Sequence, residues 1–305
     1  MVRKLLLNIL LLVIVFFCFA FALSNILIKG RPMWAYLNRS IMLRGGQSHQ
    51  MTCELDTIHL PNDGYFIFGS SHAYRAYDPA YFKKAGIEVF NAGSSSQSIN
   101  CSFTLMKYYH QKIHRVILDI YPGSFCKATG ESQLILMQGS PDFRLAAQLL
   151  LIKINVFTIN NILYRALRLD DAGLYREGGY QGRGYEMSTL EMNEPFIPDP
   201  KREYDEEEYM HLIEIIHYCR KEHIDLTLVS HPLPIPDEKI TDYWKFKVRM
   251  REICEQYAIP FFDYTYRYNL DNSHFMDMNH LNKKGVDFFD KKFLHDKFDK
   301  IPIWN

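Results

Sequence analysis

Short apolar runs alternate with longer amphipathic stretches along most of the chain. Five runs are bounded by turn residues: Tyr65–Phe68, Ile87–Phe90, Arg115–Ile120, Asp225–Val229 and Ile259–Asp263. They are nearly continuous rather than alternating, as strands buried on both faces are. Between them the apolar positions recur at helical spacing. Gln97 to His114 is one such stretch. Glu206 to Glu222 carries Tyr209, Leu212, Ile213 and Ile216, and Asp242 to Tyr257 carries Trp244, Val248 and Ile253 as core positions. Leu281 to Phe298 is the last. Strands alternating with helices of this length predict right-handed βαβ units. The expected fold is α/β, three-layer and flavodoxin-like: about five parallel strands with helices on both faces.

Two segments break the rhythm. The first is the N-terminus, where no charged residue falls between Leu5 and Ile28. That exceeds the ~20 residues a helix needs to cross a bilayer. Arg3 and Lys4 before it suit a cytoplasmic N-terminus, although Lys29 and Arg31 follow it. The expectation is a transmembrane anchor over residues 1–29, followed by a polar connector over 30–60. The rest, 61–305, would then be one domain on the extracytoplasmic side of a cell membrane. The alternative is a cleaved signal peptide and a secreted or periplasmic chain, because Ala20-Phe21-Ala22 has the small-x-small form of a cleavage site. The second irregular segment is 123–205. It holds an apolar helical stretch, Phe143 to Leu169, with Leu149 to Ile152 extending the core in the simplest reading, and a Gly- and Tyr-rich loop from Gly173 to Gly184. It reads as an insertion between the third and fourth strands, of the size that lids and binding surfaces use.

Composition narrows the function. The chain has 305 residues, 48% of them apolar and 14% aromatic, which supports a folded core and excludes disorder. Lys+Arg and Asp+Glu balance at 35 each, so no basic surface for nucleic acid is expected. The six cysteines show no zinc-type spacing. Five lie beyond the apolar segment, so in an oxidising compartment at least one is left over from pairing. His110 and His114 are four apart, but no acidic residue at metalloprotease spacing accompanies them, and a solvated face is expected. No metal and no organic cofactor is called for. Asp205 to Glu208 reads as an acidic helix start.

Chemistry concentrates where the strands end, which is where ligands bind in an open parallel sheet. Gly69-Ser70-Ser71-His72 follows the first strand, Asn91-Ala92-Gly93-Ser94 the second, and Asp277-Met278-Asn279-His280 precedes the last helix. A Ser in a tight strand-to-helix turn exposes its oxygen, and the N–H groups at the helix start face a developing oxyanion. Asp277, three residues before His280, is placed to hold one imidazole tautomer, so that His280 takes the Ser71 proton. Gly93 has no side chain to keep its N–H from a substrate oxygen. His72, Arg75 and His231 are candidates for substrate binding, and His72 also competes as the base.

In these residues and in their order the chain resembles the SGNH (GDSL-type) hydrolase family, over about Asn62 to Phe298 with 123–205 unmatched. The resemblance implies Ser71 as nucleophile, Asp277 and His280 as its partners, and the N–H groups of Ser71 and Gly93 as the oxyanion hole. Gly69-Ser70-Ser71-His72 behind an N-terminal anchor is similar to a membrane-tethered O-acyltransferase-like branch, which includes alginate O-acetyltransferases and the D-alanine transfer protein of teichoic acids. That branch implies a cell-surface polysaccharide as acylated donor or acyl acceptor, and an integral-membrane acyltransferase as partner. Two positions depart from the family pattern. Ser70 stands where the common motif has Asp, and Leu118-Asp119-Ile120-Tyr121-Pro122 replaces the block that supplies an Asn to the oxyanion. The expected function is therefore an acyl-serine enzyme, either esterase or O-acyltransferase. The alternative is a carbohydrate-binding or assembly protein on the same fold without chemistry.

Overall fold

The computed structural model describes residues 2–28, 31–32, 46–128, 130–166, 179–193, 204–234 and 241–299. All five expected strands are present: β1 (Tyr65–Phe68), β2 (Val89–Asn91), β3 (Arg115–Asp119), β6 (Asp225–Ser230) and β7 (Phe261–Asp263). They form one parallel sheet in the order β2-β1-β3-β6-β7. A short antiparallel hairpin, β4 (Tyr180–Gly182) and β5 (Tyr185–Glu186), lies outside that sheet. The continuous apolar runs follow from burial on both sides, because successive side chains point to opposite faces. Phe66, Phe68, Val116, Leu118, Leu226 and Leu228 join one core. Tyr65, Ile67, Val89, Ile117 and Val229 join the other.

The helices divide between these faces. On the Phe66 side lie α2 (Gly46–Thr57), α5 (Ile99–Tyr108), α6 (Glu131–Gly139), α7 (Phe143–Leu150), α9 (Glu206–Lys221) and α10 (Thr241–Gln256). On the Ile67 side lie α3 (Ser71–Ala76), α4 (Pro79–Lys84) and α11 (Lys283–Phe298). Most starts carry a side-chain cap that satisfies an orphan N–H of the first turn: Ser70 for α3, Asp78 for α4, Ser98 for α5, Asp142 for α7, Asp205 for α9 and Asn282 for α11. The acidic run therefore does open a helix, although Glu208 within it is buried.

Four expectations are corrected. Residues 46–57, read as connector, form α2, with Met51 and Leu55 wholly buried in the core. The stretch from Phe143 is two helices, α7 and α8 (Val156–Ala166), and its last residues, 167–169, lie outside the described ones. Leu149 is core, but Leu151 is 72% exposed. On α10 the buried face carries Tyr243, Phe246, Met250 and Ile253, which leaves Trp244 and Val248 in solvent. The first part of the Gly- and Tyr-rich loop, 173–178, is outside the described residues; its end is the hairpin. All six cysteines are free thiols.

The N-terminal helix α1 (Val2–Ser24) stands apart. Its span Val2–Leu23 has a mean hydropathy of 3.0 and none of it is buried. It is apolar enough to cross a membrane or to act as a signal sequence.

Candidate active site

The chain leaves β1 for the sheet edge at β2, then returns past β1 to build β3 and the other half of the sheet. The carboxyl ends of β1 and β3 therefore flank the switch point, where a crevice opens. Gly69 makes the turn out of β1 with φ +150, and a Cβ there would lie 2.8 Å from the Asp119 carbonyl oxygen at the end of β3. Ser70 caps α3: its Oγ accepts the His72 N–H. Ser71 is then the first helical residue, where a backbone N–H has no intrahelical partner.

The second turn closes on the first. Ser94 N–H donates to the Gly69 carbonyl (3.2 Å), and Asn91 Nδ2 donates to the Ala73 carbonyl of α3 (2.8 Å). A Cβ on Gly93 would meet Ala73 Cβ at 3.0 Å, so this approach needs glycine. The Gly93 N–H itself donates to Asn91 Oδ1 at 3.1 Å. The expected oxyanion donor is thus already engaged within its own turn.

The third segment supplies the base. Asp277 Oδ1 accepts the N–H groups of Asn279 (2.8 Å) and His280 (2.9 Å), which folds the turn. The same carboxylate lies 2.9 Å from His280 Nδ1 through either oxygen. Asn282 pins the loop from behind by donating to the carbonyls of Leu190, Ser273 and Phe275. His280 Nε2 is then 2.8 Å from Ser71 Oγ, across 209 positions of sequence. Partial burial alone would raise the Asp277 carboxyl, but the His280 ring and the two turn N–H groups outweigh it and hold it below the usual carboxylate range.

The three further candidates sit deeper than expected. Arg75 pairs with Glu186 of the β4–β5 hairpin and donates to Met276 Sδ at 3.3 Å, so it ties the hairpin to the Asp277 loop. His231 does not line the cleft; it is wholly buried, with Nδ1 3.0 Å from both oxygens of Asp119. His72 is 4% exposed and its Nδ1 lies 2.7 Å from His231 Nε2. Its ring stacks on Tyr121 at 4.0 Å and stands 4.9 Å from the His280 ring. Asp119, Tyr121, Asn91 and Glu186 are the site residues that sequence reasoning missed. A carboxylate closing a strand directly after the apolar run Val116-Ile117-Leu118 was the available signal for Asp119. His110 and His114 are exposed, and no cluster of metal-ligating side chains occurs among the described residues.

No protein-family model matches the chain, and no curated protein matches it. Among solved structures it is similar to a protein of Bacteroides fragilis provisionally named an acylhydrolase, with 13% identity and a TM-score of 0.43 over 86% of this chain and 96% of that one. It is similar also to a GDSL-like lipase of Bacteroides thetaiotaomicron, with 12% identity and a TM-score of 0.42 over 82% of this chain and 97% of that one. An acetyl xylan esterase shows 14% identity and a TM-score of 0.42 over 77% of this chain and 100% of that one. At such identities and TM-scores the function has to be argued from the site.

Proposed function

We propose that this chain is a serine acyl-transfer enzyme that cleaves an ester through an acyl-Ser71 intermediate. The observation that carries the reading is the continuous line from Asp277 through His280 to Ser71 Oγ, with hydrogen-bond distances of 2.9 and 2.8 Å. A hydroxyl at that distance from an imidazole whose other nitrogen is held by a carboxylate has the geometry for nucleophilic attack. His280 takes the Ser71 proton, Asp277 stabilises the imidazolium, and the Ser71 N–H faces the oxyanion. Gly93 contributes a second N–H by sharing it between Asn91 Oδ1 and the substrate oxygen.

The finer reading is transfer to or from a cell-surface carbohydrate. It draws on the resemblance to tethered O-acyltransferases and on α1, which would hold the domain at a membrane. The β4–β5 hairpin beside Arg75 would border the groove for the sugar. An integral-membrane protein would supply the acyl group. A second reading, a carbohydrate-binding protein without chemistry, takes its support from the missing oxyanion Asn and from the engaged Gly93 N–H.

A fluorophosphonate probe separates the two. The enzyme labels at Ser71, and Ser71→Ala removes the label from a protein that still folds. Absence of label on the folded wild type would sink the enzyme reading. Release of free acetate from an acetylated sugar without an acceptor would argue for hydrolysis over transfer.

A further inference from the structure

Behind Ser71 and His280 lies a second line of polar groups. Tyr77 Oη donates to Asp119 Oδ2 at 2.6 Å, His231 Nδ1 reaches the same carboxylate at 3.0 Å, and His231 Nε2 meets His72 Nδ1 at 2.7 Å. All four side chains are buried. The Nδ1 of His72 is taken up by His231, and His72 as a whole is 4% exposed. This line ends against the His280 ring.

Proton counting constrains it. An ionised Asp119 only accepts, so His231 Nδ1 carries a hydrogen. His231 Nε2 and His72 Nδ1 share one proton, since two would collide and none would set two lone pairs face to face. When the shared proton sits on His231, a neutral His72 carries its own at Nε2. When it moves to His72 Nδ1, a neutral His72 has a bare Nε2. Gain or loss of a proton at His72 Nε2 is thereby linked to a shift of the shared proton. Burial first, then the neighbouring His231 and His280, hold the His72 imidazole well below its ordinary value.

We propose that Asp119, His231 and His72 form a buried proton relay, and that His72 Nε2 serves the leaving and incoming oxygens while His280 serves Ser71. The proposal rests on the acyl-serine reading above. In acylation the Ser71 Oγ–carbon bond forms and the Oγ proton passes to His280. The ester carbon–oxygen bond breaks, the leaving oxygen takes the His72 Nε2 proton, and the shared proton moves from His231 to His72 Nδ1. In the second half the incoming hydroxyl, of water or a sugar, gives its proton to His72 Nε2 as its oxygen bonds to the acyl carbon. The shared proton returns to His231, the carbon–Oγ bond breaks, and Oγ recovers its proton from His280. Every proton returns to its origin.

The test uses leaving groups on the full chain in detergent. p-Nitrophenyl acetate departs as a stable anion and needs no proton; ethyl acetate needs one. His72→Asn is expected to lower kcat/KM for ethyl acetate by about 10²–10⁴-fold, and that for p-nitrophenyl acetate by at least tenfold less. Asp119→Asn, at the far end of the relay, is expected to show the same selective loss at about tenfold or more. Fluorophosphonate labelling of Ser71, in which fluoride leaves without a proton, persists in both variants. A parallel fall for the two esters, no fall for either, or loss of labelling in both variants overturns the relay. A wild type that neither labels nor cleaves p-nitrophenyl acetate overturns the acyl-serine reading instead.

Discussion

Asp277 does two jobs with one carboxylate: it closes the turn through the N–H groups of Asn279 and His280, and it orients the His280 ring. Since its folded value lies below the ordinary one, the stability it contributes is present above the usual carboxylate range and is lost as pH falls through the folded value. Glu208 is the opposite case. It is buried at the start of α9, its Oε2 has no hydrogen-bond partner, and burial pushes its carboxyl from 4.5 up to about 7. The folded chain therefore holds that proton more tightly than the unfolded one. The cost of ionising Glu208 is absent below about pH 4.5 and complete above about pH 7. Glu208→Gln should raise the unfolding free energy at pH 8 by ~2 kcal/mol, after allowance for solvent screening, and change it little at pH 4. Denaturant titrations at the two pH values check this; an equal effect at both contradicts it. At this scale the Ser71, Asp277 and His280 trio was legible, because each sits in a short turn whose chemistry is local. The Asp119–His231–His72 contacts were not, since they join residues 112 and 159 positions apart that share no pattern.

The strands were legible as elements because burial on both faces leaves an unbroken apolar run. Helix faces were less so. Trp244 and Val248 lie four apart and read as a stripe, yet the packed stripe runs through Phe246 and Met250. The segment that forms α2 carries few apolar residues, and it is held partly by polar contacts. Gln47 donates to the carbonyls of Gly93 and Gly184, and Thr52 Oγ1 donates to that of Gly139. Those partners are distant in sequence, so periodicity is silent about them. The β4–β5 hairpin depends on one such approach. Arg183 accepts the Asn91 N–H at 2.9 Å, and a Cβ on Gly184, at φ +79, would stand 1.6 Å from the Asn91 carbonyl oxygen. Gly184→Ala should therefore lift the hairpin from β2, destabilise the domain by about 1–3 kcal/mol and loosen the Glu186–Arg75 tie. A lowered denaturant midpoint at unchanged slope is the expected result; an unchanged midpoint contradicts the packing described.

At the scale of the whole molecule, the sheet's switch point gathers Ser71 and Gly93 from the first half of the chain, and the last loop brings Asp277 and His280 to the same crevice. The N-terminal helix adds a location rather than chemistry, since none of it is buried against the domain. If it is an anchor, the full chain sediments with membranes, needs detergent for release and retains the peptide preceding Ala22. A soluble form beginning just after Ala22 would show cleavage instead. Removing residues 1–28 should leave kcat/KM for a small soluble ester unchanged. The central claim is covalent, so its most direct measurement is mass spectrometry of the protein quenched during turnover of p-nitrophenyl acetate. A gain of one acetyl group on the peptide carrying Ser71, absent in Ser71→Ala and strongly reduced in His280→Ala, is the result this account predicts. Ester hydrolysis with no acyl group on Ser71, or with the group on another residue, would contradict it.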